Sequence, residues 1–334
     1  MLAPRGSSRQ ILAAELAIRH GGHVRAVWHI DSEPSLVPGM GHFLHLTPGF
    51  EVRDEHDTPL CTLVDDITIA DDLDSDAPPM ASWFRLLSDE PRLLRLAAEL
   101  ADPAGGLMSA GARVAAVFGT VAEQIGPMVR VDDRSGATIV IGAPVRGERE
   151  RPCEIVTPPL GADHAVALDA LLSAARDRGF TVPVEAAVHL HVDAAPFRTV
   201  PAFSNLVRLF GHWRASLWHA LGTNPRCRRL NALPTAILDL VERRWEAWEP
   251  LRAAASEVGL TKFFDVNLTK VLSLRPDRHT LEVRILPGSI DAASTAAQAA
   301  LVEALLLRCQ QDIPVPRPTT GSTRELHRLA AGEL

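Results

Sequence analysis

Val188-His189-Leu190-His191-Val192-Asp193 and Thr280-Leu281-Glu282-Val283-Arg284-Ile285-Leu286 are the two stretches on which the reading of this chain turns. Side chains of a strand alternate with period 2, so His189, His191 and Asp193 take one face while Val188, Leu190 and Val192 take the other. The same arithmetic sets Thr280, Glu282 and Arg284 together, opposite Leu281, Val283 and Ile285. The apolar faces are core. A carboxylate, a guanidinium and two imidazoles on otherwise apolar strands are costly to bury unless something charged meets them, and a metal ion with phosphate is a common partner of that kind. Residues i and i+2 on a strand sit about 7 Å apart, so Glu282 and Arg284 are expected to share a ligand rather than neutralise each other.

Working outward, Cys153–Val156 reads as a short strand broken by Thr157-Pro158-Pro159, and Asp163 is placed to cap a helix that Gly179 ends. Phe203, Leu206, Val207, Phe210, Leu217 and Leu221 recur at helical spacing up to Gly222, one amphipathic helix whose Trp213, Trp218 and Phe210 belong to the core. A helical segment near 234–248, a strand near 263–268 and a long Ala/Leu helix from Ala292 to about Cys309 complete this half. Upstream, a helix around Ile11–Ile18 is stopped by Gly21-Gly22. Strand-like runs then alternate with turns from Trp28 to Ile69, with Asp57-Thr58-Pro59 as a hairpin turn. Residues 70–80 are acidic and Pro-rich and read as an exposed connection, before Glu90–Leu100 resumes helical spacing. Asp132–Gly136 is the turn before the strand Ala137–Ile141. These shifts divide the chain into an N-terminal α/β lobe (1–150), a lobe carrying the chemistry (151–312) and a Pro-rich tail (313–334) read as flexible.

The 334 residues carry a net charge of −7, and Arg greatly outnumbers Lys without forming a basic run, which argues against nucleic acid as a partner. Cys61, Cys153, Cys227 and Cys309 are isolated, with no CxxC, which suits a reducing compartment and argues against a thiolate zinc site. No stretch reaches about 18 uncharged apolar residues; the expectation is a cytoplasmic protein with no membrane partner, and its oligomeric state is left open.

Several groups are candidates for chemistry, each with a plainer reading beside it. The His189/His191 pair suits a divalent metal when carboxylates join it, yet two strand histidines are as often hydrogen-bonded structural residues. The loop Gly222–Arg229 follows a helix end, and Arg226, Arg228 and Arg229 would attract an anion or simply complement the helix dipole. Lys262 and Asn267 flank Phe263–Val266; Asn267 would orient a substrate or be a structural amide. Glu154, at a strand end beside prolines, is a metal ligand or an ordinary surface residue. Asp65-Asp66 and Asp71-Asp72 suggest a metal site by composition, but a solvated acidic loop is the better account.

Four motifs in order, Pro152–Leu160, Val188–Asp193, Gly222–Arg229 and Thr280–Pro287, resemble the bacterial amidoligases, a family related to glutamine synthetase and glutamate–cysteine ligase. The match covers about half the chain. The resemblance implies an α+β fold, mainly a curved antiparallel sheet with helices packed on one face, like the glutamine synthetase catalytic fold. It implies an ATP-dependent carboxylate–amine ligase that forms an amide through an acyl phosphate on a peptide or amino-acid substrate. Carried over residue by residue, it makes Glu154, His189 and Glu282 ligands of Mg²⁺ or Mn²⁺. It sets His191 near the nucleotide and Arg284 on the transferring phosphate, with Glu282 as its catalytic partner, and makes Arg226, Arg228 and Arg229 an anion clamp by position; Lys262 and Asn267 join the expected nucleotide-binding residues on the residue reading above. Relatives commonly open with Gly-x-Glu-x-Glu, a string this chain lacks; Phe43–Glu51 offers His45 and Glu51 instead. Two other classes fit parts of the pattern: a metal-dependent hydrolase or oxygenase using His189, His191 and Glu282, and a non-catalytic binding protein that keeps the ligase fold.

Overall fold

The computed structural model describes residues 1–33, 43–161, 163–227, 229–275 and 280–334. The chain divides into two compact units, Met1–Pro183 and Val184–Leu334.

In the first unit the elements run α1 (Arg9–Arg19), β1 (His23–Glu33), β2 (Phe43–Arg53), β3 (Pro59–Val64), β4 (Phe84–Ser88), α2 (Pro91–Leu100), α3 (Leu107–Phe118), β5 (Glu123–Ile125), β6 (Met128–Asp132), β7 (Thr138–Pro144), β8 (Glu154–Val156) and α4 (His164–Asp177). All sheet pairings are antiparallel, in the order β5-β6-β7-β4-β2-β3-β8, with β1 along the other side of β2. Local chemistry explains the borders. The Ser8 hydroxyl caps α1 by accepting from the Ile11 N–H, and Gly21 leaves the helix at φ +63°. The β2–β3 turn is held by Asp54, whose carboxylate accepts from the N–H groups of His56 and Thr58, with Asp57 in the left-handed region. One core joins Leu12 and Leu16 of α1 to Phe50, Val52, Leu63 and Leu171. A second joins Leu94 of α2 and Val114 of α3 to Leu86, Val129 and Val131.

Asp65 departs from the solvated loop expected of it. It is buried, and its carboxylate takes Arg149 at 2.5 and 3.2 Å, with Arg9 3.9 Å away. Asp66 caps the following turn through the Thr68 N–H at 3.0 Å, while Asp71 and Asp72 are exposed.

The second unit runs β9 (Ala187–Asp193), a 3₁₀ turn (Ala195–Phe197), α5 (Val200–His212), α6 (Arg214–Leu221), α7 (Thr235–Val241), α8 (Trp248–Ser256), β10 (Val266–Asn267), β11 (Thr280–Pro287), α9 (Ala292–Cys309) and α10 (Thr323–Ala330). Its sheet is antiparallel, β10-β11-β9. The helices cover its apolar side: Val188, Leu190 and Val192 of β9 and Leu281 and Val283 of β11 pack with Phe203, Phe210, Leu217, Ile237 and Val302. Together the units are α+β with mainly antiparallel sheets, as expected.

Two details differ from the sequence reading. The helix expected to run unbroken to Gly222 is two helices meeting at Trp213. Gly211 lies so close to Leu238 of α7 that an added Cβ would stand 2.2 Å from it, and the Trp213 Nε1–H donates to the Pro316 carbonyl at 2.7 Å. Packing and this anchor, invisible to periodicity, set the break. The proline-rich end is also ordered by packing. Val315, Leu326 and Leu329 are buried in the second unit's core. At the start of α10 the Ser322 hydroxyl accepts from the Glu325 N–H, and the Glu325 carboxylate reaches back past the cap to accept from the N–H groups of Thr319, Thr320 and Gly321. Those donors hold the Glu325 carboxyl down at about 2. Among the described residues no helix is long and apolar enough to cross a membrane.

Candidate functional site

The central strand β11 carries Glu282 between two neighbours. Across one side it faces His191 of β9, and across the other Asn267 of β10. Glu282, Arg284 and Asn267 are all below 10 % exposed, at 7, 8 and 4 %, whereas the imidazole of His191 is half exposed.

The carboxylate is met on both oxygens. Asn267 Nδ2 donates to Oε2 at 2.8 Å. Arg284 Nη1 donates to Oε1; His189 Nδ1 lies 3.4 Å and His191 Nε2 4.0 Å from that same oxygen. The direct Glu282–Arg284 pair corrects the expectation that the two would stand apart across a shared ligand. Its cause is a β-bulge: Val283 pairs with Leu190 and Leu286 with Val188, so Arg284 and Ile285 together oppose His189. The bulge breaks strict alternation, buries both Ile285 and Leu286, and leaves Arg284 within reach of the carboxylate. The buried Arg284 Nε–H meets no acceptor among the described residues.

Behind this cluster the Arg284 N–H donates to the Asp265 carbonyl at 3.0 Å. The Asp265 carboxylate is buried and accepts from Arg214 Nε and Trp218 Nε1, each at 2.7 Å, while the Arg214 guanidinium lies 4.0 Å over the Trp218 ring. Burial pushes the Asp265 carboxyl up, against these two donors.

Burial opposes the charge of Glu282, but Arg284, the Asn267 hydrogen bond and the two imidazoles outweigh it and hold its carboxyl below the usual range. Burial pushes His191 down; Glu282 opposes this, and Lys270 and Arg284 reinforce it. Burial, with Arg317 next, likewise lowers His212. A histidine whose folded pKa lies below its unfolded value of about 6.5 is protonated first in the unfolded chain, so its contribution is present above that pH and lost as pH falls toward the folded pKa. Glu282, depressed likewise, adds a loss below about pH 4.3. Melting temperature followed by circular dichroism is therefore expected to drop between pH 7 and 5 and again below 4.5, and His191→Gln to flatten the upper step. A melting temperature constant or rising from pH 7 to 5 contradicts this.

The other expected residues have the following surroundings within their own units. Glu154 is exposed on β8 of the first unit, paired with Val64. Asp193 accepts from the Ala195 N–H at 2.9 Å, opening the 3₁₀ turn. The Lys262 ammonium and the Arg229 guanidinium both lie 5.4 Å from the Phe263 ring centre, Arg229 at φ +66°. Arg226 is exposed, its N–H donating to Asn224 Oδ1; Arg228 lies outside the described residues. Among the described residues no group of three or more His, Cys, Asp or Glu side chains is arranged to hold a metal ion. Sequence reasoning missed Thr269 and Lys270. Asn267-x-Thr269 at a strand end is an Asx-turn signature that would have pointed to the first; nothing local pointed to the second.

The site is thus a buried, doubly hydrogen-bonded carboxylate beside a guanidinium and two accessible imidazoles, on an antiparallel sheet backed by helices. The chain belongs to the family described as "putative amidoligase enzyme", whose model matches residues 13–306. No curated protein and no solved structure matches it.

Proposed function

We propose that this amidoligase is an ATP- and Mg²⁺-dependent carboxylate–amine ligase of the cytoplasm, acting on peptide or amino-acid substrates. The observation that carries the reading is the convergence of His189, His191 and Arg284 on one oxygen of Glu282. Family membership supports the amide-forming half of it, and four buried cysteines without a disulfide suit the compartment.

The donors suit a cation bound partly by its substrate. Two ligands about 2.0–2.1 Å from one Mg²⁺, at right angles, stand about 2.8–3.0 Å apart, so His189 Nδ1 and Glu282 Oε1, separated by 3.4 Å, would draw together by a few tenths of an ångström around the ion. Mg²⁺ commonly takes only one or two protein ligands and fills its remaining positions with water and substrate phosphate. The bound ion would neutralise phosphate charge.

In the proposed reaction the γ-phosphoryl group passes to a carboxylate oxygen of the substrate, and the bond to the β-phosphate oxygen breaks to release ADP. The amine nitrogen then attacks the acyl carbon, phosphate leaves, and the nitrogen loses a proton to give the amide. Phosphoryl transfer needs alignment and charge neutralisation more than a protein nucleophile. Arg284 supplies a fixed guanidinium for the transferring phosphoryl group, His191 faces the nucleotide, and Arg226, Arg228, Arg229 and Lys262 hold anionic groups.

Incubating the protein with ATP, Mg²⁺ and a panel of amino acids and peptides is expected to release ADP and phosphate only when carboxylate and amine substrates are both present. Nucleotide that neither binds nor turns over with any panel member or cell extract rejects the reading.

A further inference from the structure

We propose that Thr269 is a positioning residue of this site, acting through Asn267 to fix the orientation of the Glu282 carboxylate. Asn267 Oδ1 accepts two hydrogen bonds from Thr269, from its N–H at 3.1 Å and its hydroxyl at 2.6 Å. Turning the amide over would set its NH₂ group against both donors, leaving buried polar groups unpaired. The amide is thereby locked with Nδ2 toward Glu282 Oε2.

The lock passes to the carboxylate. With Oε2 tied to Asn267, the other oxygen is the one that meets Arg284, His189 and His191. Thr269 is separated from that oxygen by a whole side chain, yet it decides which way the oxygen faces. Asn267 is buried and β10 is two residues long, so the Asx turn closed by Thr269 stands where the ladder gives out.

Outer-shell partners of this kind typically change metal affinity 10–100-fold when removed. The metal arm of the test rests on the ligase reading; the other arm does not. Full-length wild type, Thr269→Val and Thr269→Ser are compared by titration with Mn²⁺ alone, and by the Asn267 side-chain amide resonance in two-dimensional NMR. Thr269→Val keeps the shape and the backbone N–H but removes the hydroxyl. Its expected result is Mn²⁺ affinity weakened roughly tenfold and an Asn267 resonance moved away from its carboxylate-bonded position, with Thr269→Ser restoring both. If Thr269→Val does not fold, Thr269→Ala removes the same hydroxyl and carries the comparison.

The proposal is overturned if the Asn267 resonance is unchanged by losing the hydroxyl, if it moves while Mn²⁺ affinity does not, or if Thr269→Ser behaves like Thr269→Val. Wild type that binds no Mn²⁺ removes support for the cation in the ligase reading, and the amide resonance with its rescue by Ser then decides the role of Thr269 by itself.

Discussion

Glu282→Ala is expected to abolish nucleotide-dependent amide formation and to destabilise the second unit by about 3–5 kcal/mol, the range for removing one partner of a buried ion pair. Arg284 is as buried as Glu282 and cannot deprotonate, so deletion of the carboxylate strands its charge. Asn267, held by Thr269, keeps an amide N–H pointing at the vacated place. Glu282→Gln preserves volume but sets one amide nitrogen against another, and falls between wild type and Ala. The double change Glu282→Leu with Arg284→Met is expected to recover most of the stability while remaining inactive, because a buried pair replaced by apolar side chains is often neutral or better. Urea unfolding of the four proteins checks this. A single change costing under about 1 kcal/mol would mean the charge finds water or another partner.

In the first unit, Asp65→Ala is expected to cost a similar 3–5 kcal/mol and to lower the melting temperature on the order of 10 °C. Arg149 pairs with Asp65 while also donating to the Ile69 and Asp66 carbonyls. Burial works against its charge, but Asp65 and its neighbours outweigh it and raise the Arg149 pKa. Arg9 is more deeply buried still, donating to the carbonyls of Arg149, Pro152 and Pro48 and lying 4.4 Å over the Trp83 ring. Asp65 is the carboxylate that answers both guanidinium groups. Asp72→Ala, in the exposed part of the same acidic region, is expected to stay within about 0.5 kcal/mol. Equal effects from the two changes would contradict the burial of Asp65.

Much of this was legible before any coordinates, for identifiable reasons. Alternation along 187–193 and 280–286 reports a sheet with one greasy side, and β9 and β11 form there, paired, with their apolar residues in the core. The helix-ending glycines Gly21, Gly179 and Gly222 act through bonds only a few residues long, so they are visible in a short window. What stayed hidden depends on partners far along the chain. Composition cannot show that Asp65 meets an arginine 84 residues later. Periodicity cannot show the break at Trp213, set by Leu238 and Pro316, nor the packing of Leu326 and Leu329. Within the site, residue types announced Glu282, Arg284 and the imidazoles, but the shift in pairing between Val283 and Leu286 decided that the acid and the base would touch.

That shift makes β11 sensitive to length rather than to composition at one spot. Conservative exchanges of Ile285 for Val or Leu can be absorbed by repacking. Excising a single residue between Val283 and Leu286 cannot, because the strand would be forced back to simple in-and-out order. Either a guanidinium would then be driven into oil or an aliphatic side chain would be turned out to water. An insertion–deletion scan across this strand should therefore show intolerance at Ile285, where exchange for Val or Leu passes almost unnoticed.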